Sequence, residues 1–282
     1  MRKYVFVMDF FFSEFQGGAE LNAETLANSL KQNGAEIELI NSSRVTIEFM
    51  QQRINDVFVF GNFVLLSEES KNFAINNLTY LIYEQDHKYL KTRNPIFFPN
   101  FKAPKHMLCN IDFFKGAKKN LFLTKLSKDV FVDNTGLDNV HNLGCSIWSK
   151  KDLNVMRQLC NSEKVDKVAV LDSDNPIKKR AKTVEYCEKN NLSFELIKDK
   201  NYHKFLEKLS RYKKFIFFTG HLETCARILV EAKMLNVEVS YQKKLIGAAS
   251  EPWFKLSGLE LIDEVEKICE EMPIKVMEIA NE

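Results

Sequence analysis

The chain has 282 residues, 45% of them hydrophobic and 28% charged, a composition that fits a globular protein of two domains and excludes disordered and collagen-like classes. Six cysteines are scattered without a C-x-x-C pair or a nearby His spacing, which excludes a zinc site and predicts reduced thiols in a cytoplasmic setting. Net charge is only +2, no apolar run approaches the ~18 residues of a membrane span, and any membrane contact is therefore expected to be peripheral.

In chain order, residues 4–10 form an apolar run that Asp9 interrupts, as in a first strand and unlike a signal peptide. Residues 19–32 repeat apolar positions at helical spacing and stop before Gly34. Gly17 and Gly18 stand between them, where missing side chains let backbone N–H groups reach a phosphate or sugar. There is no G-x-G-x-x-G, and the second strand, 36–40, ends at Asn41 rather than an acid, so a dinucleotide site is not expected. Phosphate-loop, metalloprotease and esterase signatures are absent as well.

Residues 56–60 read as a strand, 66–75 as a helix and 78–83 as a strand running into Asp86 and His87. In open α/β sheets ligands collect beyond the carboxyl ends of strands, which makes this Asp-His pair a site candidate. Residues 93–101 hold two prolines and read as a rim loop, 104–115 as a helix, 120–124 as a strand and 126–132 as a helix.

Charge is uneven along this half. Up to His87 acids outnumber bases twelve to six, whereas from Lys88 to Lys128 ten bases, among them Lys115, Lys118 and Lys119, face the single acid Asp112. Aromatic residues are interleaved with these bases, a composition that suits a polyanion such as duplex DNA, and buried core aromatics give the same pattern.

Residues 142–148 read as a linker, dividing the chain into domains 1–145 and 146–282. The pattern then restarts with strands at 167–171, 194–197, 213–219 and 237–241 and helices at 177–189 and 202–209. Two such arrays predict an α/β protein of twin Rossmann-like domains facing a cleft. Asp172 and Asp174 follow the first strand of the second array, Lys178, Lys179 and Arg180 stand at the next helix start, and small residues at 246–251 permit backbone contact with a phosphate. Helical pieces at 258–271 and 274–280 end the chain.

The run His221-Leu-Glu-Thr-Cys-Ala-Arg-Ile-Leu-Val-Glu-Ala232 lies between two apolar runs and reads as loop and helix. Ile228, Leu229, Ala232 and Leu235 make a packing stripe, on which Glu231 is a carboxylate needing a partner. Glu223, at the expected helix entrance, is eight residues earlier, ~12 Å along the axis at ~1.5 Å per residue, the span of a nucleotide sugar. The helix N-terminus between them would offer its dipole to a diphosphate.

The string Glu223-Thr-Cys-Ala-Arg227 followed by Glu231-Ala232 resembles the E-x-F-G-R-x3-E-A signature of family 4 glycosyltransferases, with Cys225 for Phe and Ala226 for Gly. Gly17-Gly18-Ala19-Glu20, two hundred residues away, resembles the G-G-A-E that opens the acceptor-side domain of that family. The resemblance implies the GT-B fold and a retaining, metal-independent transfer of sugar from a nucleotide-sugar donor, UDP-sugar favoured. It implies donor roles for Glu231 (ribose), Glu223 (sugar), Thr224, Arg227, Lys178 (diphosphate), Gly17 and Gly18. Glu223, Lys178 and His87 would be catalytic, with Asp86 and His87 reaching the acceptor. Two acceptors fit, 5-hydroxymethylcytosine in phage DNA, gripped through Lys115, Lys118 and Lys119 in the host cytoplasm, or lipopolysaccharide and other surface glycans. A non-catalytic nucleotide-sugar or nucleic-acid binding module on the same fold is the alternative from another class.

Overall fold

The computed structural model describes residues 2–282. The described residues divide into two compact units, residues 2–147 with 268–282 and residues 148–267. The first carries β1 (Lys3–Met8), α1 (Gly18–Gln32), β2 (Glu36–Asn41), α2 (Ile47–Gln51), β3 (Val57–Phe60), α3 (Glu68–Asn77), β4 (Thr79–Glu84), α4 (Ile111–Gly116), β5 (Lys119–Phe122), α5 (Lys125–Thr135) and β6 (Val140–Asn142). The second begins with α6 (Lys150–Leu159), β7 (Val165–Leu171), α7 (Arg180–Lys189) and β8 (Phe194–Ile197). It continues through α8 (Tyr202–Ser210), β9 (Tyr212–Phe217), α9 (Arg227–Met234) and β10 (Glu238–Tyr241). The closing helix α10 (Gly258–Asn281) spans the division.

All strand pairs are parallel, in the orders β2-β1-β3-β4-β5-β6 and β10-β9-β7-β8. The continuous apolar runs explain this, because a parallel strand covered by helices on both faces has no polar side. In the first unit Val5, Val7, Phe58, Phe60, Tyr80, Ile82 and Phe122 form one buried face. Phe113 of α4 fills it, its ring 5.0 Å from both Phe60 and Tyr80, and the Tyr80 hydroxyl donates to the Phe113 carbonyl. Tyr89, Phe113 and Phe114 are therefore core, which removes them from the aromatic set expected to meet a polyanion.

Each sheet has one place where the chain reverses its direction of winding. In the first sheet β1 and β3 are neighbours whose onward connections diverge, and in the second β7 and β9 are. The strand-end loops separate at such a point and leave a crevice for a ligand.

Three local expectations are corrected. Residues 104–115 are not one helix, because Asn110 takes a left-handed φ of 56° that parts a single turn at Lys105–Met107 from α4. The two expected terminal pieces are one helix with Pro273 inside it. The third concerns Glu223, which is not on α9. That helix starts at Arg227, because Ala226 is left-handed (φ 64°, ψ 63°) and Thr224 and Cys225 before it form a bend. Glu223 forms an isolated parallel bridge to Ile246, its N–H donating to the Leu245 carbonyl, so helical rise does not set its separation from Glu231.

Ala226 stands where the resembling signature has Gly. A side chain in this conformation costs ~1–2 kcal/mol, and greater freedom of Gly in the unfolded chain takes back ~0.4–1. Ala226→Gly is accordingly expected to stabilise the protein by up to about 1.6 kcal/mol, measured by urea unfolding.

Candidate functional site

In the second unit the loops after β7 and β9 meet at the reversal point. The Gly220 N–H donates to the Ile177 carbonyl at 2.7 Å, and the Lys179 side chain lies over Gly220 where a Cβ would stand. Lys178 lies in a single turn at Pro176–Lys178, one residue before left-handed Lys179, rather than inside α7. Its Nζ reaches both oxygens of Glu223 at 2.9 and 3.1 Å, and the Thr219 hydroxyl donates to Glu223 Oε1 at 2.9 Å. A cation for a phosphate and a carboxylate for sugar hydroxyls thus stand side by side in the crevice, forty-five residues apart in sequence.

Arg180, at the start of α7, is paired with Asp172 and lies 3.5 Å from Asp174, which Lys198 also holds at 2.9 Å. The two loop acids are thus engaged by cations. Among the described residues no group of three His, Cys, Asp or Glu side chains is gathered to hold a metal.

Glu231 is 3% exposed and already has the partner its position demands. The indole of Trp148 donates to Oε1 at 3.0 Å, the Tyr202 hydroxyl donates to the same oxygen at 2.7 Å, and Arg227 Nε is 3.6 Å away. The Arg227 guanidinium lies 4.3 Å over the Trp148 ring. Burial, with Glu231 adding, pushes the Tyr202 phenol well above its ordinary range, so it remains a donor. Trp148 and Tyr202 carried no signal in sequence beyond their aromatic type. Thr224 lies at a bend between Glu223 and α9 and is half-buried.

In the first unit β4 delivers Asp86 and His87 to the carboxyl edge of the sheet. His87 is 1% exposed and left-handed (φ 55°), a strain of ~1–3 kcal/mol of the kind that collects at functional sites. Its Nδ1 shares a 3.1 Å hydrogen bond with the Tyr89 hydroxyl, and Asp86 is ion-paired with Arg93 at 2.5 Å. Glu84, which the expected strand 78–83 runs into and to which no role was assigned, closes β4 and shapes this turn. Its buried Oε1 accepts from the backbone N–H of Asp86 at 2.6 Å and from the N–H and Nζ of Lys88, each at 3.3 Å. Lys88, 2% exposed, is therefore an internal counter-ion and leaves the basic surface to which its sequence position had assigned it.

Gly17 precedes α1 and Gly18 opens it. Glu20 folds back over this helix start, its carboxylate 2.1 Å from where a Gly17 Cβ would be. Burial raises the Glu20 carboxyl above its usual range, its own backbone N–H opposes this, and Asp86 raises it further. Asp9, at the end of β1, accepts the backbone N–H groups of Val64 and Leu65 at 3.0 Å and so joins the loops after β1 and β3.

Lys115, Lys118 and Lys119 are elsewhere. They lie at the end of α4, in the link after it and at the first residue of β5, at the amino edge of a parallel sheet whose carboxyl edge carries Asp86 and His87. Lys118 donates to the Ala280 carbonyl at 3.1 Å. The structure does not bring these three lysines to the strand-end loops.

No protein-family model matches the chain, and no curated protein matches it. Solved structures match along its whole length. A glycosyltransferase from Rickettsia africae gives a TM-score of 0.54 at 11% identity, covering 99% of this chain and 93% of its own. HepE of Anabaena, in complex with UDP, gives 0.54 at 11% identity, covering 99% and 94%. An alpha-glucosyltransferase in complex with UDP and a 13-mer DNA containing an HMU base gives 0.52 at 9% identity, covering 100% and 93%. At these identities the likeness establishes the fold, which is the GT-B arrangement of two Rossmann-like sheets.

Proposed function

We propose that this chain is a retaining glycosyltransferase that moves a sugar from a UDP-sugar to a hydroxyl of 5-hydroxymethylated DNA. The observation that carries the reading is the Lys178–Glu223 pair in the crevice between β7 and β9, on a fold whose solved examples hold UDP. In the transition state the sugar gains oxocarbenium-like charge and the departing diphosphate gains negative charge. Lys178 neutralises the diphosphate and Glu223 orients the sugar hydroxyls, so catalysis rests on positioning and electrostatics. Glu231 meets the ribose, with Arg227 and Thr224 beside it. The first unit takes the acceptor at its strand-end loops, where His87 and Asp86 stand, and exposed Gly18 opens α1 while Glu20 covers Gly17.

DNA is favoured over lipopolysaccharide because the loop beginning at Lys91 is basic and tipped by an exposed aromatic residue, and because one structure of this fold holds DNA. Six cysteines scattered without a C-x-x-C pair support a cytoplasmic setting, that of the host cell for a phage protein. No helix of the described residues is long and apolar enough to cross a membrane.

Incubation of the protein with UDP-glucose and hydroxymethylcytosine duplex is expected to release UDP and leave an alkali-stable glucosylated base. Absence of UDP release from any UDP-sugar, with or without acceptor, would return the chain to a non-catalytic binding module. EDTA is expected to leave turnover intact, because Asp172 and Asp174 are engaged by Arg180 and Lys198 and the diphosphate has Lys178. Loss of activity restored by Mn would overturn the metal-independent assignment.

A further inference from the structure

We infer that residues 91–107 form a preformed duplex-gripping loop in which Phe97 is a wedge for the base stack and Lys91, Lys102 and Lys105 are phosphate contacts. The inference rests on the DNA-acceptor reading above and goes beyond it by assigning the surface.

The loop is closed at its neck. The Lys91 N–H donates to the Met107 carbonyl at 2.9 Å, the Cys109 N–H to the Tyr89 carbonyl at 2.9 Å, and Leu90 bridges Leu108. A compact excursion with adjacent ends is an Ω-type loop, a form often used for binding. It is also held from the side, because Asn134 of α5 accepts the Ala103 N–H and donates to the Phe101 carbonyl, both at 2.8 Å. Arg93 ties it to Asp86, beside His87. Successive tight turns at Pro95–Phe97 and Pro99–Phe101 shorten the path from Phe97 to Lys102, whose N–H donates to the Pro99 carbonyl at 3.1 Å.

What this framework displays is unusual for the chain. From residue 87 to residue 111 there is no carboxylate at all. Lys91, Lys102, Lys105 and His106 are exposed, and the three lysines have no ion pair among the described residues, whereas Lys125 and Lys128 share Asp129. Phe97 is 66% exposed, the most exposed large apolar side chain among the described residues. Exposed cations on the same closed loop as one projecting ring fit phosphates flanking a base step. Apolar wedges of this kind unstack a step, and an enzyme acting on a base needs it out of the stack. A bilayer surface asks for several apolar side chains at one depth, and this loop exposes one.

The test uses the full chain, a duplex with 2-aminopurine next to a hydroxymethylcytosine, and titrations at several salt concentrations. Wild type should raise 2-aminopurine fluorescence on binding. Phe97→Ala should abolish that rise while keeping the salt slope, and Phe97→Leu should restore most of it. Replacing Lys91, Lys102 and Lys105 by Ala should lower the slope of log affinity against log salt by up to about 2.7, at ~0.9 per phosphate. A retained fluorescence rise in Phe97→Ala, or an unchanged slope in the triple variant, overturns the inference. So does wild-type binding to phosphatidylserine vesicles, lost in the same variants, with none to duplex. UDP release by wild type is scored separately. Turnover without any effect of the loop variants removes the loop assignment alone, and loop-dependent DNA binding without UDP release from any UDP-sugar removes the transferase reading alone.

Discussion

Glu231→Ala is expected to destabilise the protein by about 3–5 kcal/mol, read as a shift of the urea midpoint, because it strands a buried cation. Arg227 has a side chain only 10% exposed, and the carboxylate 3.6 Å away is its counter-charge. The same substitution takes the acceptor from the Trp148 indole and the Tyr202 hydroxyl, and that desolvation cost is part of the ~3–5 kcal/mol, which relaxation and water entry keep below the plain sum. Glu231→Gln keeps an acceptor for both donors and removes only the charge, so its loss should be the smaller. This ordering makes Gln the informative variant for function. If Glu231 also meets a ribose, Gln should weaken donor binding in calorimetry while the unit stays folded. An Ala variant with a wild-type urea midpoint would show that the cluster is not holding α6, α8 and α9 together.

Glu231 also shows how much of the site could be read from the sequence. Its place on an apolar helical stripe announced a buried carboxylate in need of a partner, and the helical period was enough for that. The partners came from Trp148 and Tyr202, eighty-three and twenty-nine residues away, and no local periodicity encodes such distances. Lys178 was legible at a helix start and Glu223 at an expected helix entrance, and the resemblance to family 4 glycosyltransferases implied their donor roles. Their contact depends on the loops bringing β7 and β9 together at the reversal point. Glu223 was placed on a helix because the apolar stripe gives no sign of where it begins. Glycine at position 226 would have marked the break, and Ala226 concealed it. Counting charges along the chain treated Lys88 and Lys115 alike. One is sealed against Glu84 and the other lies at the amino edge, since direction along a parallel strand, not distance in sequence, decides which edge a residue reaches.

Lys178→Ala is expected to lower kcat by ~10²–10³-fold and to change donor affinity far less, the signature of a group whose partner gains charge only in the transition state. In the structure Lys178 Nζ is chelated by both oxygens of Glu223 and lies 5.4 Å over the Phe217 ring, on a turn held by the Gly220 N–H. A diphosphate arriving at the crevice competes with Glu223 for the ammonium, and sugar hydroxyls compete with Lys178 for the carboxylate. Ground-state binding therefore exchanges one ion pair for two charge-assisted contacts and gains little net energy. The leaving diphosphate gains most, because its charge grows where the cation is already fixed. Glu223→Gln should loosen Lys178 as well as lose the sugar contact, so the two single variants should not add, and the double variant should lose less than their product. Arg180→Ala is the control, since its guanidinium is committed to Asp172 and Asp174 and should leave kcat within a few-fold of wild type. A Lys178→Ala enzyme with normal kcat, or an Arg180→Ala enzyme carrying the whole loss, would move the leaving-group cation one turn along the chain and separate Lys178 from the chemistry.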